Sequence, residues 1–98
     1  MAVEVHVEGR IIAGKLPEFV EAVQRYSAFA REHGYAVPRV LQGLSGPMNT
    51  VRLVYTYPDL SVYERDEART ASDREYGAVA MGMPFAEGTL TYAIYRAI

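Results

Sequence analysis

Residues 3–10 alternate without a break. Val3, Val5 and Val7 fall on one side of an extended chain, and Glu4, His6, Glu8 and Arg10 fall on the other. A period of two marks a strand that sets one apolar face against a core. After Gly14 the period changes: Phe19, Ala22, Val23, Tyr26 and Ala30 recur at steps of three and four, forming the single stripe of an amphipathic helix. Pro17 suits the first turn, where its missing N–H has no helical partner to lose, and Gly34 suits the left-handed stop. The spacing predicts a helix over about 17–33.

Two extended runs follow, about 37–45 and 49–57, with Gly46-Pro47-Met48-Asn49 between them as a hairpin connection. In the second run Val51, Leu53, Tyr55 and Tyr57 share the core side, with Thr50, Arg52, Val54 and Thr56 opposite. Two helix starts come next. Asp59 or Ser61 caps the first, and Ser72 with Glu75 repeats the capping-box spacing at the second. A broken helix over 60–70 and 73–81 results, and a last strand covers about 89–97.

The order β-α-β-β-α-β is the ferredoxin-like α+β plan, a four-stranded antiparallel sheet with its helices on one face because right-handed crossovers force them there. Ninety-eight residues make one such domain, 1–98. The other face needs a cover. The last strand is apolar on both sides, with Leu90, Tyr92, Ile94 and Ile98 on one and Ala93, Tyr95 and Ala97 on the other, and the second strand sets Val40 and Leu44 against Leu41. One-sided sheets alternate more cleanly. A homodimer through the open sheet face is the expected solution.

Composition narrows the chemistry. A net charge of −2 without a Lys or Arg cluster excludes a nucleic-acid surface. The absence of cysteine removes disulfides, thiolate catalysis and Cys-ligated metals. No run approaches the about 18 apolar residues of a membrane span, and the N-terminus has no signal-peptide pattern, so no membrane partner and a cytoplasmic location are expected. Eight tyrosines without a tryptophan is the one unusual feature.

In a face-to-face pair of sheets, Glu4, His6 and Glu8 turn toward the space between, and Arg52 joins them from the neighbouring strand. Such groups are costly to bury dry and need partners, water or a ligand. His6 and Arg52 are therefore the candidate catalytic pair. The imidazole, flanked by two carboxylates that favour its protonated form, would transfer protons, and the guanidinium would steady an anionic enolate or phenolate. Glu4, Glu8, Tyr55, Tyr92 and Tyr95 are the candidate substrate contacts, whereas Tyr26 and Tyr63 fall on helix stripes and read as core. The competing reading of the polar row is a charge network that sets register and interface specificity. A metal is not expected, since one His and one Glu at i, i+2 lack further ligands and His33 belongs to a helix end. Gly43, Gly46 and Gly82 are turn glycines, not a phosphate loop.

Four motifs, GKLPEF (14–19), GPMNTV (46–51), YTYPDL (55–60) and SDREY (72–76), span nearly the whole chain in an order that resembles the dimeric α+β barrel superfamily. The likeness is to NIPSNAP-like proteins and the antibiotic biosynthesis monooxygenase domain. It implies a homodimeric barrel that binds a small organic molecule with no cofactor, acting as a cofactor-independent monooxygenase, isomerase or cyclase; the alternative is a non-catalytic ligand-binding or assembly module. The superfamily's oxygenases and haem-degrading members use a tryptophan, and the latter also use an iron-ligating His on the second helix. This chain has no Trp and no His within 60–81, so no catalytic residue carries over.

Overall fold

The computed structural model describes the whole chain, Met1–Ile98. Strands β1 (Val3–Arg10), β2 (Arg39–Gln42), β3 (Thr50–Tyr57) and β4 (Thr91–Arg96) form one antiparallel sheet in the order β2-β3-β1-β4. Helices α1 (Leu16–Glu32), α2 (Leu60–Ala71) and α3 (Arg74–Ala80) connect them. This is the ferredoxin-like α+β architecture, with the second helical segment broken as its two cap signals predict.

The core lies where the periodicities meet. Val3 and Val5 of β1 and Val51, Leu53 and Tyr57 of β3 are buried against Phe19, Ala22, Val23, Tyr26 and Ala30 of α1 and Tyr63 of α2. Burying each large apolar side chain contributes about 1.5–3 kcal/mol, so this central group dominates stability. The helix α1 ends in a Schellman arrangement: Gly34, at φ 72°, lets its N–H reach the Arg31 carbonyl at 3.4 Å and the Tyr35 N–H reach the Ala30 carbonyl at 2.8 Å. That turn delivers Tyr35 to the edge of the space between helices and sheet.

Three local expectations change. Asp59, not Ser61, caps α2, its Oδ1 accepting from the Val62 N–H at 2.9 Å and the Ser61 hydroxyl at 2.6 Å. Ser72 does not cap α3. It ends α2, donating back to the Ala68 and Arg69 carbonyls at 3.4 and 3.2 Å, and Asp73 takes the capping role by accepting from the Tyr76 N–H at 3.1 Å. The second strand, Arg39–Gln42, is shorter than the extended run 37–45; beyond it the Gly43 N–H still reaches the Thr50 carbonyl at 2.8 Å, and the chain turns at Gly46, φ 84°.

Both sheet edges lie beyond the helices. All of β2 is exposed, and Tyr92 and Ile94 remain 55% and 43% exposed although they point to the helical side. On the open face Val54 is buried between His6 and Arg39 in the strand register, while Leu41 and Tyr95 are 45% and 51% exposed. No helix is long and apolar enough to cross a membrane.

Candidate functional site

The side chains read as one site divide between two faces of the sheet. Strand parity decides this: Tyr55 lies opposite Val5 and Tyr92 opposite Val7, so both share the helical side with the valines, whereas Tyr95 lies opposite Glu4. Of the three candidate tyrosines Tyr55, Tyr92 and Tyr95, only Tyr95 joins the polar row. The sheet separates Tyr55 from His6 and Arg52, whereas Tyr92 borders both the hollow beside them and the space on the helical side.

On the open face the row is a closed chain of contacts. Glu4 Oε1 lies 3.0 Å from His6 Nε2, Arg52 Nη1 lies 3.2 Å from His6 Nδ1, and Arg52 donates through Nε to Glu8 Oε2 at 3.1 Å and through Nη2 to the same oxygen. A guanidinium only donates, so Nδ1 must be the acceptor and Nε2 must carry the hydrogen given to Glu4. Tyr95 packs edge-on against it at 4.7 Å between ring centres. These groups border a shallow hollow of about 110 Å³, and every polar atom of the imidazole and guanidinium head already faces a partner or water.

The other face holds a larger and more apolar pocket. Between sheet and helices lies a pocket of about 180 Å³, close to the roughly 150 Å³ that holds a benzene ring in an apolar cavity. Seven of the eight tyrosines line it: Tyr55 and Tyr57 from β3, Tyr92 from β4, Tyr26, Tyr63 and Tyr76 from the three helices, and Tyr35 from the turn after α1. Three hydroxyls converge at one end. Tyr26, only 1% exposed, sits 2.7 Å from the Tyr55 hydroxyl and 2.7 Å from the Tyr76 hydroxyl.

Counting hydrogens shows what this relay offers. Three phenols bring three hydrogens, and two bonds among them use two. The third hydrogen either closes the triangle between Tyr55 and Tyr76, whose hydroxyls also bond each other, or turns to an acceptor in the pocket; because Tyr26 is enclosed, the hydroxyl that turns outward is that of Tyr55 or Tyr76. Burial pushes the Tyr26 and Tyr55 phenols far above the ordinary tyrosine value, Tyr26 being raised further by its tyrosine neighbours; it also raises Tyr57, Tyr76 and Tyr92. At neutral pH they hold their protons and act as donors.

A carboxylate faces the same pocket. Asp66, on α2, has a side chain 13% exposed; its Oδ2 accepts from the Tyr57 hydroxyl at 3.2 Å, and Arg69 Nη1 stands 3.5 Å from its Oδ1. Arg69 also lies 4.6 Å above the Tyr35 ring and donates to the His33 carbonyl at 3.1 Å, tying α2 to the end of α1. At the mouth, Asp73 uses one oxygen to cap α3 and the other to accept from the Tyr35 hydroxyl at 2.7 Å. The Tyr35 bond, then the cap, hold the Asp73 carboxyl below its usual range. No three His, Cys, Asp or Glu side chains converge as metal ligands would.

Sequence reasoning passed over most of this site. Tyr26 and Tyr63 are buried as their helix stripes require, but a stripe reports which way a ring points and not where its hydroxyl ends. Parity puts Tyr57 on the core side, but nothing in the local pattern marks it, Tyr35, Tyr76 or Asp66 as parts of one site. The available signal was the tyrosine count, together with Tyr55 and Tyr57 sharing the core side, where a ring must bring its hydroxyl inside.

No protein-family profile matches the sequence, and neither does any curated protein. Solved structures do. An uncharacterised NIPSNAP domain protein from Burkholderia xenovorans superposes with a TM-score of 0.77 at 28% identity, covering 100% of this chain and 95% of that one. A protein assigned to the antibiotic biosynthesis monooxygenases, from Caulobacter crescentus, gives 0.76 at 12% identity over 99% of this chain and 90% of that one. SnoaB, a cofactor-independent oxygenase from Streptomyces nogalater, gives 0.70 at 17% identity over 98% of this chain and 92% of that one. The last two likenesses speak for the fold alone.

Proposed function

We propose that this chain, whose fold is that of NIPSNAP-domain and antibiotic-biosynthesis-monooxygenase-like structures, binds a single-ring, largely apolar organic molecule carrying one acceptor oxygen. The observation that carries this reading is the cluster of hydroxyls Tyr55–Tyr26–Tyr76, whose third hydrogen can turn to a ligand oxygen inside a pocket the size of a ring. An apolar ring gains from leaving water, and the oxygen fixes its orientation. Cyclohexanone and methylcyclohexane, titrated by ligand-observed NMR, test it. The ketone is expected to bind about tenfold more tightly, the equivalent of one added hydrogen bond near 1.4 kcal/mol. Equal affinity, or no binding of either, would overturn the reading.

The same proposal includes a homodimer closed through the open sheet face. Leu41 and Tyr95 stand exposed there, and the Glu4–His6–Arg52–Glu8 chain is paired within one copy. That pairing favours a second reading for His6 and Arg52, in which they specify assembly and do no chemistry. His6→Ala separates the two. If the row is an interface, the variant loses mass in light scattering while cyclohexanone binding persists; if the row is catalytic, the dimer survives and turnover is lost.

A further inference from the structure

We propose that the tyrosine pocket transfers a proton at the carbon next to a ring carbonyl, with Asp66 as the proton acceptor and the hydroxyl relay as the donor to the carbonyl oxygen. This rests on the binding reading above and names the reaction class of that site.

Asp66 is the carboxylate that the geometry singles out. Glu67 also borders the pocket but is exposed, whereas the Asp66 side chain is 13% exposed and tethered on both oxygens, by Tyr57 at 3.2 Å and by Arg69 at 3.5 Å. Each carboxylate oxygen has two acceptor positions, so one tether apiece leaves a free lone pair on each. Tyr57, which holds Asp66, and Tyr55, which begins the relay, are two residues apart on the same face of β3, about 7 Å along the strand. A single ring lying between them presents its carbonyl to one and a neighbouring C–H to the other.

The step balances without any further reactant. The C–H bond beside the carbonyl breaks, its proton passes to a free lone pair of Asp66, and its electron pair moves through the carbonyl carbon onto oxygen. The Tyr55 or Tyr76 hydroxyl, turned from its tyrosine neighbour, donates to that oxygen as charge builds. Return of the proton from Asp66 to the far end of an adjacent double bond moves the double bond into conjugation and restores the carboxylate. Protonated phenols in an apolar enclosure suit this task, because donors already in place strengthen as the oxygen gains charge while no water must reorganise.

The test uses the full chain with β,γ-unsaturated cyclohexenone as substrate, following the ultraviolet absorption of the conjugated isomer and deuterium uptake at the α-carbon by NMR. Cyclohexanone affinity is measured alongside. Wild type is expected to isomerise the substrate, and Asp66→Asn to lower kcat by about 100-fold or more, the usual contribution of a positioned base, with cyclohexanone affinity retained. Tyr55→Phe and Tyr76→Phe, made singly and together, should lower kcat, the larger single loss marking the outward end of the relay. Circular dichroism checks that each variant folds. Ketone binding without isomerisation or deuterium uptake overturns the proton transfer and leaves the binding reading standing. Turnover unchanged in folded Asp66→Asn overturns the role of Asp66. No ketone binding at all overturns both proposals.

Discussion

Tyr26 is the residue on which the candidate site turns. Its hydroxyl is enclosed with only Tyr55 and Tyr76 as partners, so Tyr26→Phe leaves two phenols facing an apolar ring edge. Leaving such groups unpaired costs about 1–3 kcal/mol, and urea denaturation should show a loss in that range. A Tyr26→Phe, Tyr76→Phe double variant should cost less than the sum of the singles, since the second change removes an orphan made by the first. The buried phenols also set a pH dependence. Their folded values are raised above the unfolded one, so their contribution is complete below about pH 10 and is lost as pH rises through the folded values. Chemical denaturation repeated at rising alkaline pH should show stability falling from about pH 10 upward, less steeply in Tyr26→Phe. Asp59 and Asp73 act in the opposite direction. Their hydrogen bonds hold the folded values below the unfolded one, so their help is present above about pH 4 and fades in acid.

Elements are held in place by a few positions where size or backbone is decisive. Gly9, near the end of β1, lies under Phe85, and a Cβ there would come within 2.7 Å of the ring and 2.9 Å of Leu90. Phe85 is in turn fixed by the bridge to Ile11 and by edge-on contact with Phe19 at 5.7 Å. Gly9→Ala must displace that ring, and thermal or urea unfolding should show a loss of about 1–3 kcal/mol, typical of overpacking. Asp73 joins two elements at once, capping α3 and holding Tyr35. Asp73→Ala should fray α3 and free Tyr35, lowering stability by about 1 kcal/mol and weakening cyclohexanone binding as the mouth loosens. Asp73→Asn keeps a capping oxygen and should recover most of the stability.

For the whole molecule, the uneven cover of the sheet is the governing fact. Helices shield β1 and β3, while both edge strands and the open face present apolar side chains: Leu41, Tyr92, Ile94 and Tyr95 are all more than two-fifths exposed. If a second copy covers the open face, the melting temperature should rise with protein concentration. Tyr95→Glu, which sets a charge against Glu4 and His6 on that face, should remove the dependence and leave a folded monomer. A melting temperature independent of concentration in the wild type would count against self-association.

The sequence by itself determined the elements, their order and the side each strand turns to the helices, because periods of two and 3.6 residues are local and the core obeys both. The valines of β1, the α1 stripe ending at Gly34 and the break between α2 and α3 were all legible in this way. So was the polar row, for Glu4, His6 and Glu8 follow from parity, and Arg52 from a pairing of adjacent central strands. Tertiary structure alone decided the rest. Which acidic or hydroxyl side chain caps a helix depended on where Ser72 could turn, and the tautomer of His6 depended on Arg52 reaching Nδ1. Above all, seven tyrosines scattered from position 26 to position 92 share one pocket. Hydrophobic patterning treats each as an apolar ring; only three-dimensional placement shows that their hydroxyls meet, because a hydrogen bond between residues 50 apart leaves no period in the chain.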